Sequence, residues 1–535
     1  MPAALPRGPA SRRPLARLCG LLCVFVALSA PAAAEPVADA LRAKLATPSN
    51  DTLYAPELLR ALYAGRDFAP LWTGARAGEA QAALASAAAH GFSTANYHRA
   101  AIAAGSADVT SAGQAAVDLL ISDGLLLLGS HVRSGRIEPG SVTPRPHLLI
   151  VDADLPARLG AAPSAAAFLD SLVSPLAGYA RLQDALRQYQ ALADGGGWPS
   201  LPPGPTLRPG DRDPAIAALR ARLAREAVDG PVGGDGDLFD ATLEAAVRRF
   251  QARHGLDVDG AVGRRTRAAL DTPAAARVAQ IVANLERRRW LGEAPGQRQV
   301  RVNVAAFTLE AIDGPDVALR MRVIVGRPYR ASPEFADRIR YLVLNPDWEV
   351  PPKLAAQDKL PLIRRDPAYL AREHLRVLRG WGEQARELDP ASIDWQHVKT
   401  PLPFRLRQDP GPGNALGRIK FMFPNSHDVY LHDTPSRGLF AQAERSFSSG
   451  CIRVQQPLAL ADWLLEDDPR WPPDALRATI DSSQTRTVNL RRPVPVYLLY
   501  WTAWVGGDGA VQFRRDIYDR DAPLAAALAA PLQGE

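Results

Sequence analysis

Between Tyr430 and Val454 the chain reads YLHDTPSRGLFAQAERSFSSGCIRV. It sets His432 ahead of Cys451, with Ser448, Ser449 and Gly450 directly before the cysteine and Arg453 two places after it. These residue types suit one kind of chemistry. A thiol attacks as thiolate, and a neighbouring imidazole can take its proton. The oxyanion formed on attack needs donors already aimed at it. The backbone N–H groups of Ser449, Gly450 and Cys451 are candidates, because glycine allows close approach. A cation at Arg453 would favour a thiolate or a substrate carboxylate.

Two short elements must hold these groups. Val429 and Leu431 alternate with Tyr430 and His432, which predicts a strand ending at His432, where Asp433-Thr434-Pro435 turns the chain. Ile452 and Val454 then point to one side of a second strand, and Cys451 and Arg453 to the other. The period of two starts near residue 299. Val302, Val304, Phe307 and Leu309 lead to a turn at Asp313-Gly314, followed by alternating Leu319, Met321, Val323 and Val325. IRYLVLNP, RIKFMFPN, DVYLHD and VPVYLLYWTAWV read as further strands. Residues 354–400 are charged and read as helical; an insertion of this kind between strands is expected to form a lid.

The 535 residues suggest three or more folded units. With 47% hydrophobic and 22% charged residues, a disordered chain is excluded. Four of the positive charges, Arg7, Arg12, Arg13 and Arg17, lie in the first 34 residues, and without them the net charge of +6 drops to +2. The balance gives no case for nucleic acid as a partner. Residues 1–34 read as an export signal: a basic segment, the apolar run LCGLLCVFVALSA, and small residues before Glu35. Its removal would take Cys19 and Cys23 and leave Cys451 as a lone thiol in an oxidising compartment. An uncleaved membrane anchor is the alternative. No other segment reads as long and apolar enough to cross a membrane.

Residues 35–198 are expected to form a helical scaffold domain; Tyr179, Leu182, Leu186 and Tyr189 share one helix face. GGGWPSLPPGPTLRPG is a linker by composition. Residues 207–272 predict three short helices, the second capped by Asp240. This unit resembles the three-helix peptidoglycan-binding domain, through LRARL and AVRRFQARHGLDVDGAVGRRT.

YLHDTP followed by SSGCIRV resembles the catalytic motif of the L,D-transpeptidases of the YkuD type. The large periplasmic branch of that family is nearer still, through FAPLW, VLNPDWEVPP, PGPGNALGRIKFMFPN and YWTAW. The resemblance implies a multidomain α+β chain: the helical scaffold, the three-helix unit, and a mostly β catalytic domain over residues 299–505 that carries the helical lid, with residues 506–535 as a C-terminal tail. It implies Cys451 as nucleophile and His432 as acid and base, with the backbone carbonyl of Asp433 orienting the imidazole. Trp348 and Tyr430 fall in the matching motifs and, with Arg453, are expected to bind substrate. Many smaller members carry a second histidine before the glycine, where this chain has Ser449. The implied reaction joins a donor tetrapeptide stem of peptidoglycan to a diaminopimelate amine in the periplasm, with neither cofactor nor metal. Carbapenem-type inhibitors are the implied ligands of the thiol. Two other readings share the motifs: a cysteine carboxypeptidase or endopeptidase that uses water, and a non-catalytic wall anchor.

Overall fold

The computed structural model describes residues 34–46, 53–138, 153–173, 178–226, 230–291 and 298–532. The expected export signal, apart from Ala34, and Cys19 and Cys23 lie outside the described residues.

The N-terminal domain is built around the helix Ser111–Ser134, which Thr110 caps by accepting from the Gly113 N–H. Leu125–Leu128 and Val132 are fully buried, because shorter helices cover this helix on every side. By length and composition it could cross a membrane, contrary to the sequence expectation, yet most of it is packed inside protein. Its polar residues are used internally. Asp118 accepts from the N–H groups of Leu71 and Trp72, and Trp72 donates its indole N–H to Ser122. FAPLW is thus pinned to the core helix. The helix Tyr179–Asp194 buries Tyr179, Leu182, Leu186 and Tyr189, the residues its spacing predicts.

Residues 215–270 form the three expected helices, Ala215–Glu226, Ala241–Arg253 and Arg264–Leu270. Ile216, Leu219, Leu243, Val247 and Phe250 fill their core, and Asp240 accepts from the Leu243 N–H at 2.9 Å.

Sequence reasoning assigned no element to the stretch that follows. It is a helix, Ala274–Arg289, that ties the units together. Asn284 donates to the Thr502 hydroxyl, Gln280 donates to the Thr502 carbonyl, and Arg287 pairs with Asp521. Arg289 pairs with Glu286 and donates to the His90 carbonyl in the scaffold.

The strands of the C-terminal domain are β1 (Arg298–Asn303), β2 (Thr308–Asp313), β3 (Asp316–Gly326), β4 (Phe335–Leu344), β5 (Trp348–Glu349), β6 (Leu375–Arg379), β7 (Arg386–Leu388), β8 (Arg405–Gln408), β9 (Ile419–Met422), β10 (Leu431–His432), β11 (Ser446–Ser448), β12 (Ile452–Val454), β13 (Arg486–Leu499), β14 (Ala503–Val505) and β15 (Val511–Phe513). The main sheet runs β11-β3-β12-β10-β9-β4-β13-β1-β2, and a further β2–β3 pairing closes it on itself. Val302, Val323, Phe421, Leu431 and Ile452 fill its interior.

The insertion differs from expectation. It is a mixed subdomain with a four-stranded sheet, β5-β8-β6-β7, and short helices at Pro352–Leu354, Leu360–Arg365 and Tyr369–Arg372. Its core holds Leu360, Ile363, Leu375, Val377, Trp395 and Leu406. Arg376 and Arg407 alternate with buried Leu375, Val377 and Leu406, a period of two beneath what reads as a charged helix. The C-terminal segment also proves structured. β14 and β15 form a hairpin, and the helix Asp521–Ala529 sends Leu524 and Leu528 into the scaffold core.

Candidate active site

β9, β10 and β12 lie side by side, and their register decides which side chains meet. Phe421, Leu431 and Ile452 form one rung and face the core. The next rung is Lys420, His432 and Arg453. Alternation therefore puts Tyr430, His432, Cys451 and Arg453 on the opposite face. That face floors a cleft of about 920 Å³ whose other wall is the insertion.

The turn after β10 fixes the imidazole. His432 donates from Nδ1 to the Asp433 carbonyl at 2.5 Å, leaving Nε2 as the basic nitrogen. The Asp433 carboxylate is a staple: it accepts from the N–H groups of Arg418 (2.9 Å) and Thr434 (2.7 Å). Gly417 has φ +62°, and a Cβ there would lie 2.4 Å from that carboxylate, so the position requires glycine. Burial, then the nearby Arg453, pulls His432 down to about 3, against the Asp433 and Leu416 carbonyls. The imidazole is therefore neutral at rest.

Cys451 ends the loop between β11 and β12. Ser448 donates to the Cys451 carbonyl at 2.5 Å, and Ser332 donates to the Gly450 carbonyl at 2.6 Å. The Gly450 N–H is turned inward to the Ser448 hydroxyl at 3.2 Å. Among the described residues, the N–H groups of Ser449 and Cys451 have no partner and are the donors left to the cleft. Burial pushes the Cys451 thiol up, while the Tyr430 N–H and hydroxyl, then Lys420 and Arg453, work against it. Thiol and imidazole are both neutral at rest and line the same cleft, so the proton must move as the sulfur attacks.

Lys420 escaped sequence reasoning. Its Nζ sits 3.9 Å over the Tyr430 ring, in the same rung as His432. The signal was present in RIKFMF, where Lys420 alternates with buried Ile419 and Phe421. Arg453 has no ion pair among the described residues, and its Nε lacks a partner. Trp348 lines the cleft, with Lys359 Nζ 5.3 Å from its ring. Arg330, also missed, joins the two walls. It holds Asp358 of the insertion through both guanidinium nitrogens (2.5 and 2.7 Å) and donates to the Ser449 hydroxyl at 3.1 Å.

The buried neutral histidines predict acid lability. His90 and His432 are each pulled down to about 3 by burial, and burial holds His254 well below its usual value. The unfolded chain takes up these protons below about pH 6.5, so stability is full above that pH and falls as pH drops toward 3. At pH 5 His90 and His432 each cost about 2 kcal/mol, and His254 acts in the same direction. The thermal midpoint should drop steeply between pH 7 and 5, and His90→Gln should flatten the slope. A midpoint independent of pH over that range would refute the assignment.

Residues 297–480 match the family model described as L,D-transpeptidase catalytic domain. Residues 57–186 match one described as Scaffold domain, and residues 212–270 one described as "Putative peptidoglycan binding domain". A Haemophilus influenzae protein named "Putative L,D-transpeptidase" is 37% identical over 220 residues. That match covers 41% of this chain and 44% of the relative, less than half the length of either. Among solved structures, an L,D-transpeptidase from Stackebrandtia nassauensis is 14% identical, with 56% of this chain and 96% of that one covered and a TM-score of 0.21. One from Mycobacterium smegmatis is 13% identical, covering 38% and 58%, with a TM-score of 0.18.

Proposed function

We propose, from the match of residues 297–480 to the L,D-transpeptidase catalytic-domain model, that the protein is a cysteine L,D-transpeptidase of peptidoglycan acting in the periplasm. The observation that carries the proposal is the shared face of β10 and β12, where Cys451 and His432 line one cleft and the loop that carries the thiol keeps two N–H groups without a partner among the described residues.

The donor is a tetrapeptide stem. Cys451 Sγ attacks the carbonyl of its third residue as His432 Nε2 takes the thiol proton. The N–H groups of Ser449 and Cys451 receive the oxyanion. The C–N bond to the terminal D-Ala breaks, His432 returns the proton to the leaving amine, and a thioester remains. A diaminopimelate amine from a second stem then attacks the thioester. His432 takes the amine's proton and passes it to the departing sulfur, giving a 3→3 amide and the free thiol. Lys420 and Arg453, neither in an ion pair among the described residues, are suited to hold a substrate carboxylate, and Trp348 and Tyr430 give the stem apolar walls.

The test is intact-mass spectrometry with a soluble tetrapeptide stem. A tripeptide acyl adduct on Cys451, release of D-Ala, and cross-linked dimers once acceptor is added are expected. D-Ala release without dimers would make the enzyme a carboxypeptidase; neither adduct nor D-Ala would leave only wall anchoring.

Arg330 should set how well the nucleophile loop is held. Arg330→Ala frees the insertion from Ser449 and should lower kcat about tenfold. Arg330→Lys keeps the charge but loses the fork, and should recover only part of it. Steady-state D-Ala release checks this, and unchanged kcat in Arg330→Ala would reduce the contact to packing.

A further inference from the structure

The two N–H groups left to the cleft are aimed from behind. A peptide unit is planar and trans, so its carbonyl and its N–H point opposite ways, and a bond to one fixes the other. The Ser449 N–H shares a peptide unit with the Ser448 carbonyl, which accepts from the Arg327 N–H at 3.0 Å. The Cys451 N–H shares one with the Gly450 carbonyl, which accepts from the Ser332 hydroxyl at 2.6 Å. Both holders sit in one loop, residues 327–332, that leaves the end of β3.

The hold on Gly450 is the more critical of the two. Gly450 has φ +120° and no Cβ, so a peptide unit beside it turns over at little cost. Turning the Gly450–Cys451 unit over would put a carbonyl oxygen where the Cys451 N–H points, and that dipole repels an oxyanion. Ser332 is 0% exposed. Its hydroxyl accepts from the Gly326 N–H at 3.0 Å and gives its one proton to the Gly450 carbonyl.

The loop is clamped in turn by the C-terminal segment. The Tyr518 hydroxyl donates to the Gly326 carbonyl at 2.7 Å and accepts from the Ser332 N–H at 3.2 Å, so one oxygen ties the two ends of the loop together. Arg520 donates to the Ser332 carbonyl at 3.2 Å and pairs with Glu334 at 2.6 Å. Tyr518 is placed by Tyr500, just past the end of β13. The rings stack with centroids 5.4 Å apart, and the Tyr518 N–H donates to the Tyr500 hydroxyl at 2.9 Å. The helix Asp521–Ala529 follows directly and is anchored in the scaffold core.

We propose that Ser332 and Tyr518 are positioning residues for the reaction: Ser332 holds the Gly450–Cys451 peptide so that its N–H meets the oxyanion, and Tyr518 holds Ser332. The proposal rests on the L,D-transpeptidase reading. It makes the segment after β15, which carries neither nucleophile nor base, part of what sets the rate.

Two reactions of the same thiol separate aiming from general support. Attack on a stem carbonyl needs the thiol, the base and the oxyanion donors. Alkylation by iodoacetamide needs only a reactive thiol: the sulfur displaces iodide and no oxyanion forms. The experiment compares Ser332→Ala and Tyr518→Phe with wild type in the full chain. Ser332→Ala should lower kcat for D-Ala release from a soluble tetrapeptide stem about 10- to 100-fold and leave KM within about twofold, since the oxyanion exists only beyond the ground state. Tyr518→Phe keeps the stacked ring and should lower kcat about three- to tenfold. The alkylation rate, read at Cys451 by peptide mass spectrometry, should stay within about twofold of wild type in both. The double variant should lose no more than Ser332→Ala alone, because the two residues act through one chain of contacts. A thermal melt checks the fold, and should Ser332→Ala melt early, Tyr518→Phe decides. A folded variant with kcat within about twofold of wild type would overturn the assignment. Alkylation slowed in step with kcat would overturn it too, by reducing the contacts to general support of the loop. Wild-type protein that is alkylated at Cys451 yet releases no D-Ala would overturn the L,D-transpeptidase reading, and this assignment with it.

Discussion

Cys451→Ser is expected to release D-Ala from a tetrapeptide stem about 10⁴-fold more slowly than wild type, with its thermal midpoint unchanged. The size of the loss follows from the base. His432 is pulled down to about 3, so it accepts a proton reluctantly and succeeds only as the sulfur–carbon bond forms. A thiol, even one pushed up by burial, is acidic enough for such a transfer, and its sulfur is intrinsically nucleophilic. A serine hydroxyl is far less acidic, and among the described residues of the cleft there is no carboxylate behind His432 to strengthen it, because Nδ1 donates to a backbone carbonyl. The fold should not notice the change, since Cys451 is half-buried and the bonds that shape its loop come from Ser448 and Ser332. Release within tenfold of wild type would remove Cys451 as the nucleophile.

Carbapenems are expected to acylate Cys451, and His432→Ala should slow that acylation about 10²- to 10⁴-fold. The strained ring amide offers the same electrophilic carbonyl as the stem, and the Ser449 and Cys451 N–H groups are placed to receive its oxyanion. Without the imidazole the thiol proton has no acceptor in place. The Tyr430 N–H and hydroxyl and Lys420 still favour the thiolate, so some acylation should survive. The adduct is read by intact mass and its rate by stopped-time sampling. Equal rates in wild type and His432→Ala would show that the imidazole does not activate the thiol.

The most legible part of the chain was the part governed by local rules. Alternation in DVYLHD and CIRV placed Cys451 and His432 at strand ends, and the Asp240 cap and the stripe Tyr179–Tyr189 followed from helix periodicity. The insertion misled because β6 and β8 alternate Arg with Leu or Val, and a charged, short, amphipathic strand gives a weak period over four or five residues. The Ala274–Arg289 helix was overlooked because its run of buried arginines does not look like a core. Arg287 and Arg289 can be buried because, besides Glu286 one turn away, Asp521 and the His90 carbonyl reach them from distant segments.

The sequence by itself determined the chemical groups: one thiol beyond residue 34, one histidine at a strand end, a glycine loop between them, and the three-helix unit upstream. Tertiary structure decided what those groups meet. Register across β9, β10 and β12 put Lys420 beside His432, and the folding of the insertion over the barrel brought Asp358 to Arg330 and Ser449. It also turned the Gly450 N–H away from the cleft, and laid the C-terminal helix against a scaffold more than three hundred residues earlier in the chain. Periodicity is written between neighbours a few positions apart. Register, domain contact and the burial that moves a pKa arise between segments whose separation in sequence carries no trace of their separation in space.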